Sequence, residues 1–233
     1  MKISVRLLNH TPNPTRAMAV AARLCYTPMS INNVDAGLSD AECQRLVIKI
    51  LSNRHHSVLE HAVFTFGVEG VSRSFLAQMT RHRNTSFEVQ SQHYTTECNA
   101  EYDIPGTVPE TVRPEYRSHF DTAFLLYNKL ISIGVSKEDA RQVLPNGWAT
   151  KLVMTANLRQ WLHFVAIRSC PVNCREIELV AIAVKKRLQE MMPFLQPFLG
   201  PSCLTENICW EGRKYCGAPG AGPGTRAGGR AWG

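Results

Sequence analysis

No stretch of this sequence approaches the roughly 18 consecutive apolar residues that a membrane-spanning helix needs, so no membrane association is expected. The first residues, Met1-Lys2-Ile3-Ser4-Val5, lack an apolar segment followed by a small-residue cleavage site. They read as a first strand, with no secretory signal, and a cytoplasmic location is the default expectation. C-x-x-C pairs are absent from the eight cysteines (25, 43, 98, 170, 174, 203, 209 and 216), and no second pair follows Cys170 and Cys174 at zinc-ribbon spacing. A metal is therefore not expected, and reduced, partly buried thiols are the simpler reading. Internal repeats are absent too. So is any basic run with interleaved aromatics, although the formal net charge is +7. That charge suits acidic partners such as phosphates; a basic nucleic-acid-binding protein is the rival reading, and the dispersal of the basic residues argues against it.

What is present is enough for one sizeable core: 233 residues, 44% of them hydrophobic. Residues 13–26 carry Pro14 near the start and Ala17, Val20, Ala21 and Leu24 at helical spacing. Ser39 and Glu42 form an S-x-x-E capping box ahead of a stripe of Val47, Ile50 and Leu51. In residues 61–69, Phe64, Phe66 and Val68 alternate with Val63, Thr65 and Gly67, the pattern of a strand with one apolar face. A short helix is expected over 72–83, a strand over 87–94 and a proline-rich loop over 99–113. Further helices are expected over 115–133, 155–168 and 174–192, with a turn capped by Ser136 between the first two. From Gly217 the chain is mostly Gly, Ala, Pro and Arg, a composition that cannot bury a core and is expected to be disordered. The expected organisation is one α+β domain over 1–216 and a tail over 217–233.

The densest polar stretch runs from Thr80 to Tyr94. Gln78 and Arg81, three apart, would share a helix face, and Arg81, His82 and Arg83 would crowd its C-terminal end. Three adjacent cationic or near-cationic groups need solvent or an anion to compensate them, and arginine suits a bidentate phosphate contact. If the strand over 87–94 forms, Ser91 and His93 fall on one face as donors. A merely solvated helix end beside a polar edge strand fits the same residues.

Arg81-His82-Arg83 followed, after seven residues, by Ser91 resembles the signature motif of the flavin-dependent thymidylate synthase family. Ser86 and the Q-S-Q-x-Y of residues 90–94 are similar to that family too. So are His55-x4-Glu60-His61, the A-R-x-V-L-P of 140–145, the N-L-R-x3-H-F-x3-R of 157–168 and Gly200-Pro201-Ser202-Cys203. The resemblance runs from about residue 3 to 216, and several ordered blocks make it specific. It implies a mostly antiparallel central sheet flanked by helices, and a homotetramer with active sites built between subunits. It also implies bound FAD, NADPH and methylenetetrahydrofolate as co-substrates, and reductive methylation of C5 of a uridine 5′-monophosphate nucleotide, dUMP to dTMP, without a cysteine nucleophile. No nucleic acid is implied as a partner.

By position, the resemblance gives His55, Ser57, Arg81, His82, Arg83, Asn157, Arg159 and His163 to the flavin dinucleotide. It gives Gln78, Val89, Gln90, Ser91, Gln92, His93, Arg141 and Arg168 to the nucleotide. Arg168 would be catalytic, facing the pyrimidine and stabilising charge at N3 as C5 becomes nucleophilic, as a permanently charged guanidinium can. At about 100° per residue, one helix over 155–168 would present Asn157 and Arg168 on one side and Arg159 and His163 on the other. The chain departs from the family at Val89, usually polar, and at His93, usually arginine. Histidine is shorter and largely uncharged at neutral pH, so the nucleotide pocket is altered. The family's branch that methylates UMP for polyoxin-type nucleoside antibiotics is the alternative expectation.

Overall fold

The computed structural model describes residues 2–97, 99–209, 211 and 216; the tail over 217–233 lies outside them. Four strands, β1 (Ser4–His10), β2 (Val63–Ser72), β3 (Ser86–Val89) and β4 (Ala149–Asn157), form one sheet in the order β1-β2-β4-β3. Every pairing is antiparallel. The helices among the described residues are α1 (Pro14–Leu24), α2 (Ile31–Ala36), α3 (Asp40–Ser52), α4 (Arg73–Met79), α5 (Arg113–Ser132), α6 (Lys137–Ala140), α7 (Leu158–Arg168), α8 (Arg175–Met191) and α9 (Ser202–Thr205). None of them is long and apolar enough to cross a membrane.

Alternation decides which face of the sheet is covered. Phe64, Phe66 and Val68 of β2 and Leu152, Met154 and Ala156 of β4 are buried against Met18 of α1, Val47 of α3, Phe75 of α4, Trp161 of α7 and Val180 and Val184 of α8. The opposite face carries Arg6, Glu69, Lys151 and Glu88 around Leu8 and Val153, all exposed. Outside this core, Phe120 stacks with Tyr102 and Tyr116, and Phe124 packs on Trp148. These contacts tie α5 to the loop before it and to the residue ahead of β4.

Several local signals act as the sequence indicates. Ser39 accepts from the Glu42 amide while the Glu42 carboxylate accepts from the Ser39 amide, so the capping box closes at α3. Ser136 caps α6 through the Asp139 amide. Gly70 interrupts the register between β2 and β4 with a φ of 74°, and a Cβ there would collide with the Lys2 carbonyl.

Three expectations are corrected, and one helix is additional to them. Residues 155–157 are strand, not helix: β4 runs from Ala149 to Asn157 and α7 starts only at Leu158. Its leucine, methionine and alanine residues suit a helix, but hydrogen-bonded neighbours on both sides make it a central strand, and tertiary pairing overrides propensity. The helix expected over 72–83 ends at Met79, and the strand expected over 87–94 ends at Val89. Helix α2, capped by Ser30, has no counterpart among the expected elements, because it is a single short segment without a readable stripe.

Candidate active site

Two junctions build the site. At the first, Ser72 ends β2 and caps α4 through the Phe75 amide, while its own amide and hydroxyl donate to the Glu176 carboxylate of α8 at 2.8 and 2.5 Å. Helix α4 is therefore clamped at its start. At its end the Thr80 hydroxyl donates to the Leu76 carbonyl and the His82 amide donates to Met79. That turn points Arg81 and Arg83 outward and His82 inward, where its side chain is only 5% exposed. The expected row of three near-cationic groups is thus corrected to two exposed arginines flanking a buried ring.

At the second junction, β4 passes directly into α7. Asn157 caps the helix by accepting from the Gln160 amide at 2.9 Å. Trp161 pins the helix to β2 by donating its indole N–H to the Phe64 carbonyl. Arg168 then falls at the C-terminal end of α7, where a cation complements the helix dipole.

The two junctions meet at the Arg168 guanidinium. Its Nε donates to His82 Nε2 at 3.1 Å, and its Nη1 lies 3.4 Å from Gln78 Oε1 and 3.3 Å from Asn173 Oδ1. Gln160 faces the other His82 nitrogen at 3.3 Å, and Phe164 and His163 pack around the ring with centroids 5.1 and 6.2 Å away. Burial, then the adjacent Arg168 charge, then His163 push the His82 pKa down to about 4. The ring is neutral at pH 7. Because Nε2 accepts, the proton sits on Nδ1, and the Gln160 amide turned by half a rotation presents its oxygen to it.

Beside this cluster lies a cleft of about 940 Å³ between α7, the 3-10 turn His56–His61 and the C-terminal segment. Asn157, Arg159 and His163 line it, together with Arg54, His56 and Asn84; the expected grouping of Asn157 with Arg168 is thus corrected, because Asn157 precedes α7 as its cap instead of lying on the helix. Arg159 pairs with Glu60 at 2.6 Å and Arg54 with Glu206 at 3.5 Å. Both pairs are exposed and each is worth at most about 1 kcal/mol, so an anionic ligand can displace them. His56 titrates below the usual histidine range because of burial, then Arg159 and Arg54. His55 and Ser57, the two residues on either side of it, are exposed and do not line the cleft. Arg81 and Arg83 are likewise absent from its lining.

A second polar cluster forms around the segment after β3. Val89 is half-buried against the core side of the sheet, so its apolar character suits its position. Ser91 Oγ accepts from the His93 amide at 3.1 Å, which places both in a tight turn instead of along one strand face. Gln92 is buried and donates to Glu97. His93 Nδ1 donates to Glu138 Oε2 at 2.9 Å, and Arg141 hydrogen-bonds the Glu138 carbonyl one turn along the chain. Arg73, unremarked in the sequence, is half-buried here: it donates to the Gln90 carbonyl, its Nε has no partner, and burial lowers its pKa, with Glu97 opposing and Arg141 adding to the shift. An arginine opening a helix right after a strand was the available signal. Among the described residues, no hydrogen bond or ion pair links this cluster to Arg168.

The chain matches the family model for thymidylate synthase complementing protein over residues 6–194. It is 39% identical to the flavin-dependent thymidylate synthase of Geobacter sulfurreducens, with 92% of this chain and 94% of the relative aligned. It is 34% identical to that of Clostridium tetani, over 93% and 94% of the two chains. The chain belongs to the flavin-dependent thymidylate synthase family. Among solved structures, the crystal structure of a UMP/dUMP methylase, PolB from Streptomyces cacaoi, bound with 5-Br dUMP, superposes with a TM-score of 0.72 at 25% identity, over 84% of this chain and 94% of that one. For a member of this family, the groups that fit a flavin dinucleotide are the cleft's own: two arginines for a diphosphate, and amide and imidazole groups for the remaining polar edges.

Proposed function

We propose that this chain catalyses the flavin-dependent reductive methylation of dUMP to dTMP, with methylenetetrahydrofolate as one-carbon donor and NADPH as reductant. The observation that carries the reading, beyond family membership, is Arg168: its acceptors among the described residues are all neutral, and it stands next to a cleft large and polar enough for a dinucleotide.

Asn157, Arg159 and His163, with Arg54 and His56, would hold the flavin; Arg81, Arg83, His55 and Ser57 would reach it from the rim. The bound flavin supplies hydride chemistry. The chain's own contribution is electrostatic. The Arg168 guanidinium faces the pyrimidine and stabilises negative charge at N3 as C5 becomes nucleophilic, so the step needs no thiolate. Gln78 fixes the guanidinium's orientation and can share the ring's polar edge. Ser91, His93 and Arg141, with the backbone of residues 89–92 and with Arg73, would bind the nucleotide's phosphate and sugar. Arg73 supports this because a half-buried guanidinium with an unpaired Nε wants an anion. By family resemblance, the site would be shared between subunits of a homotetramer.

One observation favours a second substrate. His93 stands where the family usually has arginine, and it is tied to the Glu138 carboxylate, an acceptor that a ribose hydroxyl could use. UMP is therefore the alternative nucleotide. Both readings are tested together: purified protein should be yellow and should methylate dUMP, and Arg168→Ala should abolish methylation while flavin stays bound. Retained turnover in that variant would remove Arg168 from the mechanism. A dUMP/UMP turnover ratio unchanged by His93→Arg would remove His93 from nucleotide selection.

A further inference from the structure

The motif histidine does not behave as a free ligand group. Its ring is buried, Nε2 is engaged by the Arg168 Nε–H and Nδ1 faces Gln160, so both hydrogen-bonding positions are committed inside the protein. The ring is held edge-on by Phe164 at 5.1 Å. Gln160 is itself buried and belongs to the first turn of α7, whose last residue is Arg168. The contact therefore bridges the turn after α4 to both ends of one helix. Asn173 grips the other edge of the guanidinium while donating its amide to the Ile167 and Cys170 carbonyls, so its own position is fixed by backbone.

We infer that His82 is a positioning residue: through Nε2 it aims the Arg168 guanidinium at the nucleotide without sharing its charge, and Asn173 steadies the opposite edge. The choice of acceptor has a chemical reason. An unpaired arginine side chain would sample several rotamers, and each loss of aim weakens an electrostatic catalyst. A carboxylate would aim it equally well but would cancel the charge that the reacting pyrimidine needs. A neutral nitrogen on a rigid, buried ring orients and leaves the full positive charge available. Gln78 and Asn173 repeat the same choice with neutral oxygens.

The inference rests on Arg168 acting on the pyrimidine, and the test separates the two. Flavin content, KM for dUMP and kcat per bound flavin are measured for His82→Gln, His82→Asn and His82→Leu, each alone and with Arg168→Lys. Glutamine can place an acceptor near the Nε2 position; asparagine is one methylene too short, and leucine has no acceptor. A hydrogen bond to a charged group predicts that Asn and Leu each lower kcat by about tenfold or more, while Gln keeps most of it. Lysine at 168 has a methylene where arginine has the donating Nε–H, so in that background the Leu variant should change kcat by less than about threefold. Equal losses in all three variants, additive losses with Arg168→Lys, or loss of flavin with normal kcat per flavin would each overturn the inference. If Leu does not fold, the Gln and Asn pair decides it alone. Full activity in Arg168→Lys by itself would instead overturn the role of Arg168, and this inference with it.

Discussion

At the scale of single residues, the site depends on small differences in what neighbours can accept. His82 and His93 are both histidines within one polar stretch, yet one is buried against a cation and the other is exposed on a carboxylate. The buried ring makes a stability prediction. Its folded pKa is about 4, below the ordinary histidine value of about 6.5. Protons are therefore taken up preferentially by the unfolded chain once the pH falls below about 6.5, and stability is lost progressively until the pH reaches about 4. By pH 5 the His82 contribution to this loss is about 2 kcal/mol. Urea unfolding of wild type and His82→Gln at pH 7 and pH 5 should show a smaller drop in the variant by about that amount. Equal drops would mean that His82 does not carry the effect. His56, also displaced downward by burial, acts in the same direction and stays in both proteins.

At the scale of elements, two backbone requirements can be read as free energies. Ser72 and Glu176 join the start of α4 to the first turn of α8 by charge-assisted hydrogen bonds at a buried position. Glu176→Ala is expected to cost about 2 kcal/mol in urea denaturation and to loosen Gln78 and His82 at the far end of α4, raising KM for the nucleotide. An unchanged unfolding midpoint would show the clamp to be dispensable. Gly70 shapes the bulge where β2 passes the Lys2 carbonyl, and Gly70→Ala meets both an unfavourable φ and a backbone clash. A loss of about 2 kcal/mol or more is expected from such strain, seen as a lower thermal midpoint. The S-x-x-E box and the alternation of Phe64, Phe66 and Val68 are local signals, and both hold in the structure. β4 mixes the helix-favouring Leu152, Met154 and Ala156 with the β-branched Thr150, Val153 and Thr155, and the pairing that decides for a strand comes from two neighbours that no window of sequence around residue 152 contains.

At the scale of the whole molecule, one layer of helices covers one sheet face, and α4 carries Arg73 of one polar cluster at its start and Gln78 of the other near its end. If active sites form between subunits, two defective chains can complement each other. Arg141→Ala and Arg168→Ala, each inactive alone, should regain methylation when co-expressed as mixed oligomers, reaching at most about a quarter of wild-type activity if subunits mix at random. Absence of recovery in demonstrably mixed oligomers would place both arginines in the site of one chain.

The sequence by itself determined the chemistry on offer: the ordered blocks from His55 to Arg168 that carry the family, the caps and the apolar face of β2, because these depend on residues within a turn or two of one another. Tertiary structure alone decided how that chemistry is deployed. It divided Arg81, His82 and Arg83 into two surface cations and one neutral buried acceptor, and it brought His56 to the cleft where its neighbours His55 and Ser57 do not line it. It also set Arg168 against Gln78, His82 and Asn173. The reason is that burial and hydrogen-bond partnership arise from segments some ninety residues apart, and these set a side chain's charge and aim while a motif sets only its identity.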